Sequence, residues 1–282
     1  MPDAFDHCEQ IVREADKDRF LATLFAPAKY RRPLFALYAF NVEIARIREM
    51  AREPMPGEIR LQWWRDVLAG GGHGDVAAHP VAAALREVAV RYRLPPTMLA
   101  DMIEARTFDI YDDPMASLAD LDLYCVRTSA ALVELAARIL GDGKDTGTGD
   151  LAGHAGIAYA ITGLLRALPI HAARRQLYVP QDVLQRYGAQ QEDVFAGTAT
   201  TELRAALAEL RLHARKHLTA ARDMMAGAPA AIAPAFLPVA LVRPVLDRME
   251  KRRYQPFQPL DIPQWRRQWT LWRAARSGLR RL

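Results

Sequence analysis

A chain of 282 residues with 51% apolar and 25% charged side chains is long enough to bury a large core. Its formal charge of +5 is modest and is spread along the sequence except at a basic C-terminal end, which excludes the concentrated positive field of a nucleic-acid binder. Cys8 and Cys125 are isolated, without a Cys-x-x-Cys or Cys/His grouping, so they read as free thiols of a reducing compartment rather than a disulfide or a zinc site.

Alanine, leucine and arginine are abundant and β-branched runs are short, which predicts one all-α domain over 1–282. The first helix is expected from His7 to Phe25, with Ile11, Phe20, Leu21 and Leu24 apolar and Pro27 closing it. A second starts after Ala28, buries Leu34, Leu37, Tyr38 and Ile44 on one face, and leads into Glu43, Arg46 and Glu49. Met55 to Leu68 is a short helix whose Trp63 and Trp64 read as packing surface. Gly70 to Gly74 is a loop, and Pro80 opens the next helix at a favoured first-turn position. After Pro95 and Pro96 a helix is expected to reach Tyr111. Asp109, Asp112 and Asp113, before Pro114, read as a solvated helix end rather than a metal site. Ser117 to Leu140 is expected to be the longest uninterrupted helix, with Ser129 and Ala130 small enough for a neighbour to approach closely and Gly141 as its stop.

The stretch from Gly156 to Pro180 joins a long apolar helix to a cluster of cations. Ile157, Ile161, Leu164, Leu165 and Leu168 recur at helical spacing and carry Arg166 towards an interior. Such an arginine needs a carboxylate or an anion, and Glu43 and Glu49 are the candidate partners. Pro169 cannot bond back to Leu165, so His171, Arg174 and Arg175 are expected on a bent or extended exit. Thr201 to Met225 is a long amphipathic helix. His213 and His217 stand four apart on it, a zinc-compatible spacing, but no acidic or cysteine ligand accompanies them in sequence, so a solvated pair is expected. A helix from Phe236 to Arg253 and an extended connector from Tyr254 to Pro263 follow. The last helix, about 263–281, is amphipathic: Trp265, Trp269, Trp272 and Leu279 form a stripe flanked by Arg266, Arg267, Arg273, Arg280 and Arg281. That pattern suits either a membrane headgroup boundary or a lid on the bundle. No charged-then-apolar leader and no uninterrupted apolar run of spanning length is seen, so the expected location is cytoplasmic, peripheral on the inner face of the membrane if this helix binds lipid.

Gly156-x-Ala158-x-x-x-Thr162-x-x-Leu165-Arg166, followed by Leu177-Tyr178-Val179-Pro180-Gln181-Asp182, resembles the second signature region of the squalene and phytoene synthase family. Leu37-Tyr38-Ala39-Phe40, the Gln62-Trp63-Trp64-Arg65-Asp66 run and the Tyr124-Cys125 helix ending at Ile139-Leu140-Gly141 follow that family's order. The resemblance implies an isoprenoid-synthase bundle around a central cavity, with two acidic motifs facing each other across its mouth and holding magnesium against a prenyl diphosphate. Carried over residue by residue, the mouth holds Ala45, Arg46 and Glu49 on one side and Arg166, Ala167 and His171 on the other, so only Glu49 of the four principal acidic positions remains. The pattern Leu165-Arg166-Ala167-x-Pro169-x-His171-x-x-Arg174-Arg175-x-x-Tyr178-x-Pro180 is similar instead to the divergent branch of the family represented by a mitochondrial complex I assembly factor.

Three functions are compatible with this reading. The first, preferred on the resemblance, is a pseudoenzyme that assists assembly of respiratory complex I and has its subunits as partners. The second is a module that holds a prenyl lipid or diphosphate, with Glu43, Arg46, Glu49, Arg166, His171, Arg174, Arg175 and Tyr178 as lining candidates and the arginines as charge-assisted donors. The third is a prenyltransferase condensing two prenyl diphosphates, which alone would require Mg. No other cofactor, no catalytic residue and no resident metal is expected. The membrane-contact candidates are Trp265, Trp269, Trp272, Arg266 and Arg273.

Overall fold

The structure, a computed structural model, describes residues 3–50, 53–71, 78–111 and 113–278. Gly74, Asp112, Leu279, Arg280 and Arg281, which figured in the sequence expectations, lie outside the described residues. Among the described residues every regular element is helical.

The first expected helix is two. α1 (Ala4–Ala15) opens on a reciprocal cap between Asp3 and Asp6, and Asp16 then stops it and caps α2 (Lys17–Thr23) by accepting the Arg19 amide. α3 (Ala28–Ala45) is buried on nearly all sides, so its apolar residues show no single stripe. Arg46 breaks it, and a single turn, α4 (Ile47–Met50), follows. α5 (Pro54–Leu68), α6 (Pro80–Arg91) and α7 (Pro96–Ala105) each start on proline, where the missing amide has no intrahelical partner to lose. A break at Arg106 separates α7 from α8 (Thr107–Ile110), so the helix expected to reach Tyr111 is also split.

α9 (Leu118–Cys125) and α10 (Ala131–Leu140) are joined by a π-helical turn, Val126–Ala130, so the expected helix from Ser117 to Leu140 is continuous but not regular. The turn faces α11 (Gly149–Arg166), where a Cβ on Gly156 would lie 2.3 Å from Ala130 Cα. The close approach expected of the small residues is therefore present, and Gly156 is its other half. After a break at Ala167, α12 (Leu168–Ala173) restarts the chain, followed by α13 (Gln181–Tyr187), closed by left-handed Gly188, and α14 (Gln191–Phe195). α15 (Thr201–Met225) has the expected limits and runs along α11.

Beyond it, prolines break the chain into a 3₁₀ turn, α16 (Ala233–Phe236), a second 3₁₀ turn (Leu237–Leu241) and α17 (Val242–Met249), where one helix to Arg253 was expected. Contrary to the expectation of no spanning run, Ala230–Met249 is long and apolar enough to cross a membrane. It is 67% buried inside the bundle, which accounts for its apolar character. α18 (Gln264–Arg276) lies across the second 3₁₀ turn and α2.

Candidate functional site

α4 and the end of α12 bring the two signature regions together. Of the bent or extended exit expected after Pro169, the structure has a break at Ala167 and a new helix: Pro169 occupies the first turn of α12, His171 is helical and Arg174 is the C-cap. Arg174 Nη1 donates to Glu49 Oε1 at 3.1 Å, and Arg46 Nε lies 4.0 Å from Glu49 Oε2. Glu49, the carboxylate expected at the mouth, is thus paired with a guanidinium from the opposite signature region. Both partners are exposed, Arg174 at 42% and Glu49 at 45%. Arg175 takes a left-handed conformation and lays its guanidinium over the Phe195 ring, 4.5 Å from the centroid, away from Glu49.

Arg166 pairs with neither expected glutamate. Its Nη1 lies 3.8 Å from Asp18 Oδ2, with 37% of the side chain exposed. Asp18 is buried; Tyr159 donates to its Oδ2 at 3.3 Å, and Arg267 of α18 places Nε 2.9 Å from Oδ1 in an ion pair without hydrogen-bond alignment. Burial raises the Asp18 pKa, and Arg267 and then Arg166 pull it back. Glu43 faces a separate cleft of about 230 Å³ lined by Ile47, Met50, Arg60, Trp63, Trp64 and His79. His79 Nε2 is 3.5 Å from its carboxylate, and burial pushes the Glu43 pKa up to about 7 against the pull of Arg60.

Behind the mouth is a polar cluster that sequence reading missed. Asp109, expected in a solvated turn, is only 7% exposed. It accepts hydrogen bonds from Tyr178 at 2.6 Å, Tyr124 at 2.9 Å and Arg106 at 3.0 Å, while Gln176 donates to its backbone carbonyl. His171 packs against Tyr178 with the rings tilted and their centroids 4.6 Å apart. Burial lowers the His171 pKa to about 4, with Asp109 opposing and Arg174 reinforcing the shift, so the ring is neutral at pH 7. The signal available in sequence was Arg106 three residues before Asp109, a helical ion-pair spacing; the two tyrosines come from elsewhere in the chain. Inward of His171 and Tyr178, the cavity bounded by Leu121, Ile161, Leu165 and Leu168 is narrow, about 10 Å³, room for about one water.

α18 has two roles at once. Leu271 and Ala274 are buried and Arg267 reaches Asp18, so one face closes the bundle. Trp265, Trp269 and Trp272 are 63%, 53% and 40% exposed, with Trp269 and Trp272 stacked at 5.0 Å. Arg266 and Arg273 flank this outward stripe and are exposed.

The sequence matches the Squalene/phytoene synthase family model over residues 12–273. It is 30% identical to NADH dehydrogenase (ubiquinone) complex I, assembly factor 6 of Rattus norvegicus over 259 residues, covering 92% of this chain and 78% of that protein. Identity to chloroplastic phytoene synthase 1 of Arabidopsis thaliana is 28% over 267 residues, covering 90% of this chain and 62% of that protein. In three dimensions the chain is similar to a dehydrosqualene synthase crystallised with ligand, with a TM-score of 0.83 and 19% identity over 99% of this chain and 97% of that one. A match across nearly all its helices, on a bundle of isoprenoid-synthase type, makes this chain a member of the squalene/phytoene synthase family.

Proposed function

We propose that this chain is a non-catalytic member of its family that assists assembly of a complex I-type NADH dehydrogenase, acting at the membrane that houses it. The observation that carries the reading is the Glu49–Arg174 ion pair: the two regions that would hold magnesium between them hold each other instead. The similarity to complex I assembly factor 6 supports the client, and the outward tryptophans of α18, with Arg266 and Arg273, support peripheral attachment at the headgroup level. A prenyl lipid between α11 and α15 is the weaker reading, since the interior space there, about 10 Å³, would have to open widely to admit one. A strain lacking the gene should lose NADH dehydrogenase activity in its membranes and regain it with the wild-type gene and equally with Glu49→Ala. Unchanged activity in the deletion strain would refute the assembly role.

A further inference from the structure

We propose that Asp122, His213 and His217 form a binding site for a zinc-class divalent ion, distinct from the mouth and independent of any role in complex I assembly. The sequence offered only two histidines four apart. Folding adds the third donor from another helix: Asp122 of α9 stands against α15, its Oδ1 and Oδ2 at 2.8 and 3.0 Å from His213 Nε2. One ligand atom from each of the three residues lies within 4.8 Å of the other two. Tetrahedral zinc, with bonds of about 2.0–2.2 Å, holds its ligand atoms roughly 3.3 Å apart, so Asp122 and His213 need part by only about half an ångström while His217 moves in.

The surroundings fit a metal site as well. His217 is half-buried, and its Nδ1 lies 2.9 Å from Nδ1 of His154 on α11, which leaves Nε2 for an ion and supplies the outer partner that orients a ligating imidazole. Of the two cations between the histidines, Arg215 is held by Asp247 at 2.7 Å and Glu250 at 2.6 Å, and Lys216 is exposed. Two imidazoles and a carboxylate select zinc, cobalt or nickel over magnesium, which demands oxygen ligands. With three protein donors the fourth position falls to water. The bound ion ties α9 to α15, with α11 behind them, and so acts as a staple across helices that also bound the narrow interior.

Cobalt(II) added to chelator-treated full-length protein should give one equivalent of visible ligand-field absorption. Zinc should displace it and raise the melting temperature. His213→Ala, His217→Ala and the conservative Asp122→Asn should each weaken cobalt binding at least tenfold while keeping the wild-type helical circular dichroism, and the exposed His7→Ala should bind as wild type. No stoichiometric cobalt spectrum from the wild-type protein would overturn the proposal, as would wild-type binding by Asp122→Asn together with either histidine variant.

Discussion

Asp109 and Glu49 are both acidic residues paired with arginine, and burial gives them very different weights. Asp109 is enclosed with Arg106, Tyr124 and Tyr178. Asp109→Ala should cost about 3–5 kcal/mol in chemical denaturation, because the largely buried Arg106 is left without its counter-charge. Glu49→Ala should cost no more than about 1 kcal/mol, since its exposed pair is screened by water. Glu43 adds a pH dependence of definite sign. Burial raises its pKa from 4.5 to about 7, so the folded state holds the proton more tightly than the unfolded chain does. The stabilisation is full below about pH 4.5 and is lost as pH rises through 7. Glu43→Gln should therefore be more stable than wild type at pH 8 by up to roughly 3 kcal/mol and nearly equal to it at pH 4, as read from urea midpoints at the two pH values.

Among the elements, α11 carries a tight backbone contact. Its Gly156 meets the π-helical turn backbone to backbone, with no flexible side chain to yield. Gly156→Ala should accordingly destabilise by about 3 kcal/mol or more, despite alanine's better helix propensity, measured by thermal or chemical unfolding. α18 makes the opposite case, a helix whose large apolar side chains do little for the core. Replacing Trp265, Trp269 and Trp272 together by alanine should leave the melting temperature within a few degrees, because Leu271, Ala274 and Arg267 hold the helix down. The same variant should float less well with anionic liposomes; recovery equal to wild type would remove α18 as the membrane contact.

For the molecule as a whole, the fold is that of the family's synthases, and the proposed non-catalytic role rests on the acidic positions carried over from the resemblance. Ionising an allylic diphosphate requires metal ions bridged to protein carboxylates, and of the four acidic positions carried over from the resemblance only Glu49 is acidic here, with Arg174 bonded to it. Arginines can bind a diphosphate but cannot supply the metal's coordination, and a loss of even about 5 kcal/mol of transition-state stabilisation slows a step more than about a thousandfold. Pure protein incubated with farnesyl or geranylgeranyl diphosphate, magnesium and NADPH should form no condensation product. Metal-dependent turnover abolished by Glu49→Gln would instead establish a prenyltransferase.

The sequence by itself determined the helical class, the family and the limits of α15, because periodicity and motif order are local properties of the chain. At Ser129 and Ala130 the small side chains left both close approach and ordinary core packing open, and the contact of Gly156 with Ala130 decides for the approach. Helix breaks at Asp16 and Arg106 escaped it, because a side-chain cap or a shift between adjacent turns hardly disturbs the apolar period. Only the tertiary structure decided which charges meet. Arg166 found Asp18 rather than Glu43 or Glu49, Asp109 was buried by tyrosines from two later segments, and His213 and His217 acquired Asp122 and His154. Charge partners are set by which helix faces pack together, and that choice is made by apolar burial across the whole bundle, not by the residues flanking a charge in sequence.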